Sequence, residues 1–105
     1  MSDDELVLWR ERIAEIDREL VAVLSDRLAA ARHVARVKLE RGLPAFDPER
    51  EALNVERAEA ALRSSVRTPD DVDDRAAALD AYRAVIVVTR GRIARLIARH
   101  PHLAP

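Results

Sequence analysis

The stretch from Asp3 to Arg41, DDELVLWRERIAEIDRELVAVLSDRLAAARHVARVKLER, decides the fold because it contains neither proline nor glycine. Without these helix-breaking residues, the pattern predicts one unbroken helix. One set of residues recurs at alternating steps of three and four and therefore shares one side of that helix. We call this set the seam: Arg10, Ile13, Asp17, Leu20, Leu24, Arg27, Ala31, Val34 and Lys38. The seam is apolar except for Asp17 and three cations, and a buried cation is costly unless an anion meets it.

The length of this helix predicts a second chain. At about 1.5 Å per residue the helix is roughly 57 Å long. A compact domain of this size has a radius of gyration of only about 13 Å. The chain cannot cover so long a helix by itself, and the apolar seam favours a partner over solvent. We therefore expect a second copy to pack along it.

Composition narrows the class of protein. The chain has 105 residues, which is one domain by size, and is 49% hydrophobic but only 3% aromatic. Its net charge of −1 gives no reason to expect nucleic acid or a membrane surface as a partner. The absence of cysteine excludes disulfides and thiolate chemistry. With an acidic beginning, no signal-peptide pattern and no membrane-length apolar run, we expect a cytoplasmic protein.

Two further helices are predicted from proline-containing start signals. Asp47 and Pro48 fit an N-cap followed by the first helical residue, and Thr68 with Asp71 fits a capping box. Gly42 is a natural end for the first helix. The predicted single domain spans residues 1–105, with helix 1 at about 3–41, helix 2 at about 48–63, helix 3 at about 69–99, and a frayed tail at 100–105. The predicted fold class is all-α, with three helices (long, short, long) in an intertwined homodimer.

Polar residues at inner positions define the candidate site. The three histidines do not form a metal-ligand set, and no nucleophile–base pattern or phosphate-binding glycine loop is present. Arg27 and Lys38 lie about 16 Å apart along the first helix. The turn before the second helix can bring Asp47, Arg50 and Glu51 back across that gap. A ligand pocket and a structural ion-pair network, with Asp47 only a helix cap, are both open on spacing alone.

Four segments carry a resemblance to a known family. They are LWRERIAEIDREL at residues 8–20, LSDR at 24–27, VARVK at 34–38 and LPAFDPERE at 43–51. Together they resemble the all-helical chorismate mutase family, over residues 6 to about 57. The rest of the chain is similar in helix length and seam. The resemblance implies an isomerase of the shikimate pathway, and thus of aromatic amino acid biosynthesis.

The resemblance implies how a dianionic substrate is bound. Arg10 reaches into the pocket of the partner chain and binds a substrate carboxylate. Arg27 also binds a carboxylate, and Arg50 helps to position the substrate. Thr89 lies where the family usually has a serine that contacts the ring carboxylate.

The resemblance also implies the chemistry. Chorismate rearranges to prephenate in an intramolecular, pericyclic step that needs no nucleophile and no cofactor. Lys38 donates to the ether oxygen, so Lys38 and Arg27 are the expected catalytic residues, while Asp47 and Glu51 hold the ring hydroxyl side. Catalysis then rests on holding the reactive conformer and on donors placed where negative charge develops.

Ile93 departs from the family pattern. Four residues after its serine the family usually has glutamine, or in some branches an acid, as a second donor to the ether oxygen. Ile93 stands at that place, four residues after Thr89, and cannot donate. The nearby Arg90, Arg92 and Arg95 are predicted to lie on other faces of an ideal helix.

This departure leaves alternatives open. The first is an enzyme of the same fold that acts on 4-amino-4-deoxychorismate or removes pyruvate from isochorismate. The second is a non-catalytic helical dimer that binds a small dianion. Two further alternatives are a weak mutase and a mutase that a partner enzyme completes.

Overall fold

The computed structural model describes residues 3–65 and 67–103, which form three helices and a short turn. Their bounds are α1 Asp3–Glu40, α2 Pro48–Arg63, α3 Pro69–Arg99 and a 3-10 turn at Pro101–Leu103. No strand occurs within these described ranges. The prediction of an all-α chain with a long, a short and a long helix is confirmed.

The end of α1 is fixed by a glycine. Gly42 has a φ of 72°, a left-handed conformation that glycine adopts without strain. Its amide donates to the carbonyl of Leu39 at 3.1 Å, and the Leu43 amide donates to the carbonyl of Lys38 at 2.8 Å. This pair of hydrogen bonds is a Schellman motif. The motif turns the chain at Gly42, and the segment that follows brings Asp47 to within 3.8 Å of Lys38.

The starts of α2 and α3 are capped by side chains. An oxygen of Asp47 accepts a hydrogen bond from the Arg50 amide at 3.0 Å. Thr68 and Asp71 form a reciprocal capping box, in which Asp71 also accepts from the amide of Arg67. The backbone amides of Arg67 and Thr68 hold the pKa of Asp71 below its ordinary value. These caps fix where each helix begins.

A small core lies where the end of α1 meets α3. Ala35, Ile93 and Leu96 form a buried cluster, against which Ala45 and Ile97 pack. α3 contacts both α1 and α2. The molecule measures 59 × 26 × 15 Å, with a radius of gyration of 17.9 Å. That value exceeds the roughly 13 Å of a compact domain of this length.

The first half of α1 lacks tertiary cover in the described chain. Every residue from 3 to 23 is exposed. The large apolar side chains exposed there are Leu6, Val7, Leu8, Trp9, Ile13, Ile16, Leu20, Val21 and Val23. Charged residues are interspersed among these apolar side chains. None of the described helices is long and apolar enough to cross a bilayer.

The end of the chain corrects one prediction. A frayed tail was expected after residue 99, but Pro101–Leu103 forms a 3-10 turn in contact with α1 and α3. The His100 amide donates to the carbonyls of Leu96 and Ile97, which turns the chain back onto the bundle. The remainder of the predicted tail, residues 104 and 105, lies outside the described residues.

Candidate active site

A cavity of about 310 Å³ lies between the second half of α1, the start of α2 and the middle of α3. The turn after α1 closes one side of it. The residues that line it are Arg27, Ala30, Ala31, Val34, Lys38, Ala45, Phe46, Asp47, Arg50, Glu51, Asn54, Ile86, Thr89, Arg90 and Ile93. Every predicted site residue except Arg10 is in this set.

Asp47 links the cap of α2 to the last turn of α1. While one of its oxygens caps α2, the other lies 3.8 Å from the Nζ atom of Lys38. The Lys38 side chain is 26% exposed, so its ammonium is partly shielded from water. Asp47 therefore caps α2 and also forms an ion pair with the cation at the cavity.

Arg27 is held in place from α3. Its Nη1 atom donates to Oγ1 of Thr89 at 3.0 Å, and that hydroxyl donates to the carbonyl of Val85 at 2.7 Å. The guanidinium carbon also lies 5.5 Å from the ring centroid of Tyr82, within cation–π range. These contacts restrict a long, flexible side chain to one side of the cavity.

Glu51 and Arg90 form a bidentate ion pair between α2 and α3. Nε of Arg90 lies 3.0 and 3.2 Å from the two Glu51 oxygens, and Nη2 donates to Oε2. The hydrogen bonds from Arg90 are the main cause that lowers the pKa of Glu51, while burial and the charge of Asp47 oppose them. The same contacts raise the pKa of Arg90. Glu51 thus carries its charge at neutral pH.

Arg90 reaches the cavity from another face of α3. An ideal helix places it off the face of Thr89 and Ile93, yet it lines the cavity because its long side chain reaches Glu51. No sequence signal identified Arg90 as the partner of Glu51, because the two residues are 39 positions apart. Asn54, one turn after Arg50, also lines the cavity and was not singled out.

Ile93 belongs to both the cavity and the core. It is 9% exposed and packs in the cluster with Ala35 and Leu96. It presents an apolar surface where a hydrogen-bond donor was the family expectation. The position therefore stabilises the α1–α3 contact and contributes no polar group to the cavity.

Arg10 does not line the cavity of its own chain. It lies in the exposed half of α1, about 25 Å along the helix axis from Arg27. One small ligand cannot touch both residues of the same chain.

The charge and chemistry of the cavity suit an anion. Four cationic side chains and two carboxylates line it, which leaves two positive charges. The lining includes no serine, cysteine or histidine. The arrangement can bind and polarise an anionic ligand through fixed donors.

Comparison with known proteins identifies relatives. The chain is 38% identical to a chorismate mutase of Methanocaldococcus jannaschii, over 46% of this chain and 48% of that protein. It is 29% identical to the T-protein of Haemophilus influenzae, over 87% of this chain and 29% of that protein. The matches thus span less than half the length of either curated relative. None of the solved structures matches the chain significantly.

A family model covers most of the chain. The model of chorismate mutase type II matches residues 9–92, a span that includes the cavity residues of all three helices except Ile93. The match ends one residue before Ile93. Because the match extends over well over half of its length, the chain belongs to the chorismate mutase type II family.

Proposed function

We propose that this chain is a chorismate mutase, an isomerase that rearranges chorismate to prephenate without a cofactor. The observation that carries the proposal is the cavity with four cations against two carboxylates and with no serine, cysteine or histidine in its lining. Chorismate is a dianion, and the excess of two positive charges complements it. An intramolecular rearrangement needs orientation and charge stabilisation rather than covalent catalysis.

The restrained cations have distinct roles in this proposal. Arg27, anchored by Thr89 and Tyr82, binds a carboxylate with the donors that remain free to turn to a ligand. Lys38, oriented by Asp47, donates to the ether oxygen, where negative charge grows as the C–O bond breaks. Preorganised donors stabilise the transition state because little reorganisation is needed during the reaction.

The remaining polar residues orient the ring. Asp47 and Glu51 hold the side that carries the hydroxyl group. Arg50 and Thr89 position the substrate from α2 and α3. Ile93 supplies no second donor, and the loss of such a donor typically raises a barrier by about 2.7–4 kcal/mol. A slow enzyme, or one that a partner enzyme completes, stays a prediction.

An intertwined homodimer with two equivalent sites is the second part of the proposal. Two observations support it: the exposed apolar side chains of residues 3–23, and the distance of about 25 Å between Arg10 and Arg27. Antiparallel pairing of two α1 helices would cover those side chains. It would also bring Arg10 of one chain to the cavity of the other. A folded monomer at micromolar concentration in sedimentation would contradict it.

The test is direct product identification. Purified protein is incubated with chorismate, isochorismate and 4-amino-4-deoxychorismate, and the products are identified by mass spectrometry and NMR. We expect prephenate from chorismate as the main activity. The family and the relatives named above give no support to the other two substrates, which serve as comparison arms. Release of pyruvate from isochorismate, with no prephenate formed, would overturn the proposal.

The cytoplasmic location stays a prediction.

A further inference from the structure

The ion pair between Glu51 and Arg90 has three hydrogen bonds, and the roles above assign no function to Arg90. Arg90 donates through two of its nitrogens to both oxygens of Glu51, and the two residues are 39 positions apart in the chain. A side-on guanidinium–carboxylate pair fixes the plane of the carboxylate as well as its position. The pair therefore determines how Glu51 faces the cavity.

The side chains of Glu51 and Arg90 differ in how far they are exposed to solvent. The Glu51 side chain is 24% exposed, whereas that of Arg90 is 53% exposed. Glu51 is thus the inner partner, and Arg90 reaches it from the outer side. An arginine on the outer side of the carboxylate fixes its orientation, as the residues that surround a binding site orient the residues that touch the ligand.

Charge gives the pair a second effect. A free carboxylate beside a dianion would repel it, and Asp47 already adds one negative charge to the cavity. Without Arg90, the lining would hold three cations against two carboxylates, one positive charge instead of two. Arg90 neutralises Glu51 and leaves its oxygens able to accept from a neutral hydroxyl group.

We propose that Arg90 is a positioning residue that acts through Glu51. It holds this carboxylate ionised and in one plane, so that Glu51 accepts a hydrogen bond from the hydroxyl of the substrate. The inference rests on the proposed mutase function and deepens it. It assigns to Arg90 no contact with the reacting atoms.

The pH dependence of the reaction reports on this role. Arg90 lowers the pKa of Glu51, so its removal raises that pKa. An activity that needs ionised Glu51 falls as pH drops through the pKa, and the acid limb of kcat/KM therefore moves to higher pH. The other charged groups around this cavity are Arg27 and Lys38 of α1 and Asp47 and Arg50 at the start of α2. They are unchanged in the comparison.

The experiment compares Arg90→Ala, Arg90→Lys and Glu51→Gln with the double variant Glu51→Gln/Arg90→Ala. Arg95→Ala is the matched control, since Arg95 is exposed on the same helix and does not line the cavity. The readouts are kcat and KM from about pH 4 to 9, a range chosen around the ordinary carboxyl pKa. Thermal melting verifies that each variant is folded.

We expect Arg90→Ala to lower kcat/KM by about ten-fold, the lower end for loss of a charge-assisted hydrogen bond. Its acid limb should move to higher pH, and Arg90→Lys should restore that limb in part because the charge is retained. In the Glu51→Gln background, Arg90→Ala should have little further effect, because the residue it acts through is already changed. Arg95→Ala should match the parent.

Two outcomes would overturn the inference while the mutase function stands. One is an Arg90→Ala enzyme with an unmoved acid limb. The other is full additivity of the two substitutions, which would indicate that Arg90 contacts the substrate directly. A parent protein without any mutase activity would overturn the proposed function and this inference together, so the two failures are distinguishable.

Discussion

The two halves of α1 share the apolar seam but differ in their surroundings. From residue 24 onward the helix packs on α3, buries Ala35 and Leu39, and presents Arg27 and Lys38 to a cavity. From residue 3 to 23 the same apolar seam continues, yet every side chain is exposed. Contacts within the chain account for the apolar side chains of the covered half, residues 24–40. They do not account for those of the bare half, residues 3–23.

This contrast shows which site residues are positioned by contacts within one chain. Local contacts of one chain are enough to fix Arg27, Lys38 and Asp47, because α3 and the start of α2 hold them. No contact within the described chain fixes the face that carries Ile13 and Leu20. If the bare half completes the function of the covered half, substitutions in both halves should affect one shared site.

The largest expected effect is in the covered half, at Lys38. Lys38→Ala should lower kcat by about 10²–10³ fold, as loss of an oxyanion-type donor does, with a smaller change in KM. Arg41→Ala is the matched control, since Arg41 is exposed at the end of the same helix and does not line the cavity. Steady-state kinetics on chorismate measures both. A near-normal kcat in Lys38→Ala would refute the assigned chemistry.

The second prediction joins the two halves across chains. Arg10→Ala and Arg27→Ala should each be nearly inactive, because each removes a carboxylate ligand from every site. In a fully exchanged equal mixture, half of the dimers are mixed and each has one intact site. Activity should therefore recover to about a quarter of the parent's in a two-fold symmetric dimer.

Mass spectrometry of intact dimers verifies that the chains have exchanged, and each variant mixed with itself is the control. No recovery after verified exchange would show that Arg10 and Arg27 do not serve one site.

The sequence predicts the covered half and the helix ends better than it predicts the site's details. Gly42, Asp47–Pro48 and Thr68–Pro69 are local signals, since each acts on backbone groups a few residues away. Arg90 could not be placed in this way, because its partner on α2 depends on the spacing between two packed helices. Ile93 could be recognised as a departure, but not as a member of the core.

The third prediction uses the free energy of unfolding to test whether a second chain covers the bare half. Leu20 lies on the seam and Leu8 lies on the far side of α1, yet they are 61% and 64% exposed. If a second chain covers the seam, Leu20→Ala should lower the free energy of unfolding by about 2–4 kcal/mol, as in a core. Leu8→Ala should change it by less than about 0.5 kcal/mol, as on a surface.

Urea denaturation at several protein concentrations measures both variants. For a dimer, the midpoint should also rise with protein concentration. Equal, small effects of the two substitutions would mean that the seam stays in solvent, and the intertwined dimer would be wrong.

The smallest expected effect lies at Ile93, where core and cavity share one side chain. Ile93→Gln places an amide donor at the position of the family's second donor, and kcat on chorismate should rise about ten-fold, a gain of about 1.36 kcal/mol. The same change removes an apolar side chain from the cluster with Ala35 and Leu96, so the free energy of unfolding should fall by about 1–3 kcal/mol. Ile93→Leu, which conserves volume and apolarity, should leave kcat unchanged and lower the free energy of unfolding by less than about 1.5 kcal/mol.

A stable Ile93→Gln enzyme with no gain in kcat would show that this position does not face the ether oxygen. In that case Lys38 is the sole side-chain donor to the ether oxygen, and Ile93 contributes to the covered half through packing rather than through chemistry.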